Sequence, residues 1–209
     1  MTMLTGPLLV VEDVPNILDF LEMTLKFKGY EVMKARNGKE ALDSIQKSRP
    51  ALLITDILMP KMDGFSLLYH LRADPATRDM PVVFLSATYI APDDKAFAMR
   101  IGATRFIEKP IDTEEFLLTV AELLTQGSAP PPPSLNECEF FTGYRKQLEM
   151  KLQQKSMQIA RAERLIETLP PEQKPGFVNL RQQSISDRDE IQAELEQIKI
   201  LLEKNNSSI

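Results

Sequence analysis

Cysteine and histidine each occur once in the 209 residues, as Cys138 and His70, and tryptophan is absent. A single cysteine excludes an intrachain disulfide framework and fits a reducing, cytoplasmic setting. Cys138 is read as a free thiol that pairs with its copy only near a dimer axis under oxidation. No run approaches the roughly 18–20 apolar residues of a membrane span, so no membrane partner is expected. The opening stretch MTMLTGPLLVVEDV lacks a basic flank and a small-residue cleavage site, and reads as a first strand, not a signal peptide. Excess positive charge is also missing. The net charge is −5 and the pI about 5.1, so nothing favours a polyanion in bulk and no nucleic-acid partner is expected. What is present, 43% hydrophobic and 26% charged residues, suffices for one or two units with a real core.

The clearest punctuation is GSAPPPPS at 127–134. Four consecutive prolines fit neither a helix nor a central strand and favour an extended spacer. The expected organisation is a first domain over 1–126, a Gly/Ser/Pro-rich linker over 127–136 and a second module over 137–209. The formal charge is −4 before residue 127 and −1 after it.

In the first domain, aliphatic runs at Leu8–Val11, Tyr30–Lys34, Ala51–Thr55, Val82–Leu85 and Arg105–Glu108 read as strands. Helical patterns lie at Asn16–Lys28, Gly38–Lys47, Phe65–Arg72, Asp93–Ile101 and Thr113–Thr125. Five strand–helix repeats predict a parallel α/β sheet with helices on both faces. LLVV and ALLI are unbroken apolar runs, as strands covered on both faces require. Such sheets place their functional crevice beyond the carboxyl ends of the strands. Those ends carry Glu12 and Asp13, then Asp56, then Ser86, then Glu108 and Lys109.

Asp13 and Asp56, with Glu12, crowd negative charge and repel one another. A hard divalent cation relieves this, and Mg²⁺ takes carboxylates together with waters and phosphate oxygens. Lys109 supplies a point charge for Asp56 or for an anion bound to it. Ser86 offers a hydrogen bond to that anion. No histidine or cysteine base stands among them, so hydrolase chemistry of the serine or cysteine type is not supported. The set suits phosphoryl transfer to a carboxylate, where the protein mainly positions and neutralises charge.

LVVEDV at 9–14, LLITDILMPKMDG at 52–64, PVVFLSA at 81–87 and RFIEKP at 105–110 together resemble the receiver domain of two-component response regulators. The resemblance covers about the first 126 residues. It implies a flavodoxin-like five-stranded parallel sheet. It makes Asp56 the phosphoacceptor, Glu12, Asp13 and Asp56 the Mg²⁺ site, and Ser86 and Lys109 the groups that meet the phosphoryl oxygens. Ser86 and Phe106 become the switch pair, and Lys109-Pro110 a cis peptide bond. The implied partner is a histidine kinase or phosphotransfer protein, and the domain assists only its own phosphorylation and dephosphorylation. Thr104-Arg105 stand where the family usually shows acidic residues, so the surface read by partners differs. The loop Thr88–Pro92 is slightly long and apolar. Leu58, bulky and apolar two residues past Asp56, is expected to shield an acyl phosphate from water.

The second module holds no metal cluster, glycine-rich phosphate loop or basic stripe. Helical patterns over Glu139–Thr168 and Phe177–Lys204 flank Pro170, Pro171, Pro175 and Gly176, which read as breakers. Leu148, Leu152, Ile159, Ala162, Ile166 and Leu169, interrupted by Lys155, form a coiled-coil-like seam. Ile191, Leu195, Ile198 and Leu202 form another. The expectation is a long antiparallel helical hairpin. Met150, Met157, Leu165, Ile185, Ile200 and Leu201 lie off the seam, which predicts a homodimer through a four-helix bundle. Rods this long with no clustered Lys or Arg argue against helix-turn-helix DNA binding. A phosphotransfer bundle would need a histidine, and none follows His70. The expected function is therefore a phosphorylation-controlled dimerisation or docking module for a downstream protein target. A phosphate sink or relay is the alternative. A Mg²⁺-dependent aspartyl-phosphate phosphatase is less favoured, because Leu58 occupies the place of that class's second aspartate.

Overall fold

The computed structural model of the chain describes residues 6–87, 92–126 and 135–206. The expected proline spacer at 127–134 and most of the Thr88–Pro92 loop lie outside the described residues. The chain divides into two units, one ending at Leu135 and the other beginning at Asn136.

In the first unit, β1 (Leu8–Val11), β2 (Val32–Ala35), β3 (Leu52–Asp56), β4 (Val82–Ser86) and β5 (Arg105–Glu108) alternate with five helices. These are α1 (Pro15–Phe27), α2 (Gly38–Lys47), α3 (Gly64–Ala73), α4 (Pro92–Arg100) and α5 (Thr113–Gln126). All strand pairings are parallel, in the order β2-β1-β3-β4-β5. This is the flavodoxin-like doubly wound sheet, whose order reverses between β1 and β3. β1, β3 and β4 are buried along their whole length, which explains their unbroken apolar runs.

Side-chain alternation then sorts the core. Leu8, Val10, Leu52, Ile54, Val83 and Leu85 pack with Leu18, Leu21 and Leu25 of α1 and Phe116, Val120 and Leu123 of α5. Phe84 points to the other face, where Phe65 of α3 meets it edge-to-face at 5.4 Å and meets Phe97 of α4 at 5.1 Å. Helix starts are set locally. Asn37 caps α2 by accepting from Glu40 N, and Asp63 caps α3 by accepting from Ser66 N at 2.9 Å. Asp63-Gly64 is thus a turn and helix start. His70 lies exposed on α3 with Nδ1 donating to the Ser66 carbonyl. β2 begins two residues later than the apolar run from Tyr30 suggests, and α4 starts at Pro92, a position that tolerates proline in the first turn.

The second unit is a helical hairpin. α6 (Glu137–Thr168) begins with a reciprocal cap between Asn136 and Glu139. A short 3₁₀ turn at Pro171–Gln173 leads into α7 (Lys174–Asn206). Tyr144 Oη donates to Glu194 at 2.6 Å and Lys155 Nζ pairs with Asp187 at 2.7 Å. Partners that converge toward the turn from both sides make the helices antiparallel. The second helix starts at Lys174, not Phe177. Pro175 and Gly176 sit in its first turn, where amide hydrogens have no intrahelical acceptor and a missing N–H costs nothing.

The seams also differ from the expected spacing. Phe140, Tyr144, Leu148, Lys151, Ile159 and Ala162 are buried on α6, with half-buried Lys155 between them, whereas Leu152 and Ile166 are only half-buried. The steps run four, four, three, an eleven-residue repeat. Ser184, Ile191, Leu195, Ile198 and Leu202 on α7 follow sevens. The two repeats drift in opposite senses against an ideal helix, so a single heptad seam does not serve both helices.

Gly64 is a packing requirement. A Cβ there would stand 2.5 Å from the Asp56 carbonyl oxygen and 3.0 Å from the Phe84 ring. Gly64→Ala is expected to destabilise the first unit by about 1–3 kcal/mol, read as a lower urea midpoint.

Candidate functional site

The parallel sheet brings the ends of β1, β3, β4 and β5 to one edge. Asp56 is the last residue of β3 and its Cα partner is Leu85, next to Ser86 at the end of β4. Glu12 follows β1 directly and is fully buried. Lys109 follows β5, and its peptide bond to Pro110 is cis.

Lys109 joins the acids. Its Nζ lies 2.7 Å from Glu12 Oε2 and 2.9 Å from Asp56 Oδ2. Asp56 Oδ1 accepts from Ile57 N at 2.6 Å, so both its oxygens are engaged. Glu12 Oε1 accepts from Val14 N at 3.3 Å. Lys109 N donates to the Ser86 carbonyl at 2.9 Å, which ties the end of β5 to that of β4. The Ser86 side chain is buried.

Among the described residues, Glu12, Asp13 and Asp56 each offer a carboxylate oxygen within 4.8 Å of the others. Their electrostatics follow from this crowding. Burial, then Asp56, raises the Glu12 carboxyl above its ordinary range, against the opposing pull of Lys109. Burial and Asp56 likewise raise Asp13. Burial alone would lower the Lys109 ammonium, but Asp56 and Glu12 outweigh it and hold it above its usual value. Three acids share one lysine, so two negative charges remain without a counter-charge. All-oxygen donors, close spacing and residual charge fit a hard divalent cation of the Mg²⁺ class.

Two predicted features separate from this cluster. Glu108 turns away and pairs with Lys95 of α4. Phe106 is half-buried on β5, paired in register with Phe84, and Lys95 Nζ lies 5.9 Å over its ring. Sequence reasoning did not single out Lys95. Its thirteen-residue separation from Glu108 follows no local period, so only the packing of α4 beside β5 could find it. The backbone amides of Val14 and Ile57 were likewise beyond reach, since residue identity says nothing about where an amide points.

Residues 8–121 match the family described as the response regulator receiver domain, and the chain belongs to that family. Among curated relatives, the response regulator Rre1 of Synechocystis is 37% identical over 123 residues, covering 58% of this chain and 53% of its own. The DNA-binding dual master transcriptional regulator RpaA of the same organism is 35% identical over 117 residues, covering 56% of this chain and 48% of its own. The chain thus spans about half the length of these two proteins. Among solved structures, the chemotaxis response regulator CheY4 of Vibrio cholerae is 33% identical with a TM-score of 0.54, covering 59% of this chain and all of its own. Receiver domains bind Mg²⁺ in an acidic pocket of the kind formed here by Glu12, Asp13 and Asp56.

The raised carboxyls set a pH dependence. A group whose folded pKa exceeds its unfolded one stabilises fully below the unfolded value and loses that contribution as pH rises through the folded value. The unfolded references are 4.5 for Glu12 and 3.8 for Asp13. Metal-free protein should therefore gain thermal stability as pH falls from neutral toward those unfolded values. Glu12→Gln should raise the melting temperature at neutral pH and flatten that slope. Millimolar Mg²⁺ should flatten it in the parent chain, and an unchanged slope in both cases would count against the shared-charge reading.

Proposed function

We propose that the chain is a response regulator phosphorylated on Asp56, in which phosphorylation controls the helical hairpin as a dimerisation or protein-docking module. The single observation that carries the reading is Asp56 at the strand edge, bridged by Lys109 and flanked by Glu12 and Asp13.

In the proposed step, an Asp56 carboxylate oxygen attacks the phosphorus of a phosphohistidine on a histidine kinase or phosphotransfer protein. The P–O bond forms, the P–N bond breaks and the electron pair leaves on the imidazole nitrogen. Glu12, Asp13 and Asp56 would hold Mg²⁺, which would supply charge neutralisation for the phosphoryl oxygens. The Ile57 amide fixes the carboxylate through Oδ1. Lys109 leaves its contact with Oδ2 and pairs with the incoming dianion. Ser86 donates its hydroxyl to a second phosphoryl oxygen, and Phe106 responds by turning inward against β4. The domain thereby acts on itself and is not a turnover enzyme. Phe20, Met23 and Phe27 follow one face of α1 and are exposed, a surface suited to an apolar helix of the phosphodonor.

For the output, the hairpin leaves Met150, Met157, Val178, Leu180 and Ile200 exposed. A second copy would cover such residues in a four-helix arrangement, which supports homodimerisation. A formal charge of −1 beyond the spacer and the absence of a basic stripe support a protein target over DNA. We place the protein in the cytoplasm, where histidine kinases present their phosphoryl groups.

Labelling with a small phosphodonor should be stoichiometric and lost in Asp56→Ala. Light scattering should give twice the chain mass at micromolar concentration. Beryllofluoride should change either that mass or the capture of a partner by the full chain. Unaltered mass and capture would favour a phosphate sink, and sustained turnover of a phosphomonoester would favour the phosphatase reading. Leu58 is half-buried beside the acceptor. Leu58→Asn is expected to shorten the phosphoryl lifetime severalfold, measured as decay of the labelled protein, and an unchanged rate rules out its shielding role.

A further inference from the structure

Lys61 is, among the described residues, a non-glycine residue with positive φ, at +67°. It is the centre of a three-residue turn in which Met62 N donates to the Pro60 carbonyl at 2.8 Å. A turn of this span with positive φ at its centre is the rare, strained form. Such strain persists only where the surroundings over-determine it.

The restraint comes from α2. Gly38 N donates to the Met62 carbonyl at 2.9 Å. The approach is close: a Cβ on Gly38 would lie 2.6 Å from Met62 Cγ and 2.9 Å from the Met62 carbonyl oxygen. Buried Asn37 and exposed Glu40 fix that helix start. Asn37 Oδ1 accepts from Glu40 N at 3.1 Å, and Glu40 Oε2 accepts from Arg36 N at 3.0 Å. The base of the same loop is closed by Gly64 N donating to the Ile57 carbonyl at 2.9 Å. Ile57 is the residue whose amide holds Asp56 Oδ1. The loop is therefore pinned at its base by α3 and at its apex by α2, and Asp56 stands at its entry.

We propose that the start of α2 positions the phosphoacceptor. Gly38 holds the loop in its strained turn at Lys61 and so fixes the backbone that leaves Asp56, which makes Gly38 and Lys61 positioning residues for phosphoryl transfer. The proposal rests on reading Asp56 as the acceptor. The Lys61 side chain is exposed, and its ammonium reaches only 4.0 Å from Glu40 Oε1. Its charge is therefore not the operative feature; its backbone is.

The test uses the full chain, with beryllofluoride in saturating Mg²⁺ as the titrant and urea unfolding on the same samples. Lys61→Gly relieves the left-handed strain, worth about tenfold in an equilibrium constant, and frees the loop. Its urea midpoint should equal or exceed the parent's, while its beryllofluoride affinity falls by about fivefold or more, because the bound geometry is no longer pre-set. Lys61→Ala removes the charge but keeps the strain, and should bind within about twofold of the parent. Gly38→Ala should weaken binding in the same direction and raise hydrogen exchange at the residue-38 amide. A merely structural turn would leave affinity unmoved in a folded Lys61→Gly chain, and that result overturns the proposal. Should Gly38→Ala fail to fold, Lys61→Gly alone decides. A parent chain that binds no beryllofluoride overturns the acceptor reading itself, and the positioning role with it.

Discussion

One ammonium group serves a cluster of three carboxylates, and the rest of the first unit is arranged around that imbalance. Lys109 touches both Glu12 and Asp56, and Asp13 stands within ligand distance of them. At an effective dielectric near 20, two like charges about 4 Å apart repel by about 4 kcal/mol. Lys109 and the Val14 and Ile57 amides offset only part of such a cost. The rest is borne by the apolar strands behind the cluster, where Leu8–Val11 and Leu52–Ile54 are excluded from water on both faces. The residual two negative charges equal the charge of one divalent cation. That residual charge is what favours binding of the ion.

This division of labour explains what the sequence made legible. Strands buried on both faces have no reason to carry a carboxylate, so Asp56 after LLIT and Glu12 after LLVV stand out against their own runs. The parallel sheet then does the rest, since alternation of strand and helix forces those ends to one edge. The same logic put Lys109 and Ser86 at that edge. It misplaced Glu108, because the last residue of an edge strand can turn its side chain toward α4 instead of the crevice, and Lys95 takes it there. Contacts between elements with no fixed sequence separation, such as Gly38 with Met62, were beyond sequence reasoning altogether.

The hairpin was legible in kind and less so in detail. Helix propensity and apolar periodicity announced two rods, but breaker residues were given too much weight. Pro175 stands where the helix has no use for an amide hydrogen, so it begins α7 and does not end the turn. The seam was sought among aliphatic residues, and the start of α6 buries Phe140, Tyr144 and Lys151. Tyr144 is amphipathic, and its hydroxyl on Glu194 lets a polar residue occupy a core position. Lys155, which seemed to interrupt the pattern, is instead paired across the hairpin with Asp187. The family match, over residues 8–121, lies within the first unit, and receiver domains accompany many kinds of output. The hairpin's role must be argued from its own charge and exposed apolar residues.

In the proposed switch, signal transmission rests on the attachment of Lys109 at two points. Its ammonium is held by Asp56 and Glu12, and its amide by the Ser86 carbonyl at the end of β4. Converting Asp56 to an acyl phosphate, as proposed, would remove the charge from the oxygen Lys109 contacts and create a dianion a bond length or two further out. The ammonium must follow that charge or lose its strongest partner. Because its backbone is bonded to β4, the displacement is shared by β4 and β5 and cannot be absorbed by a flexible side chain alone. Phe106 of β5 is half-buried, in register with Phe84, with Lys95 Nζ of α4 5.9 Å over its ring. A packed aromatic in that position has few alternative rotamers. In the proposed switch, a small movement of charge at the strand edge would therefore reach the α4–β5 face as a choice between discrete packings, which is what a two-state switch requires.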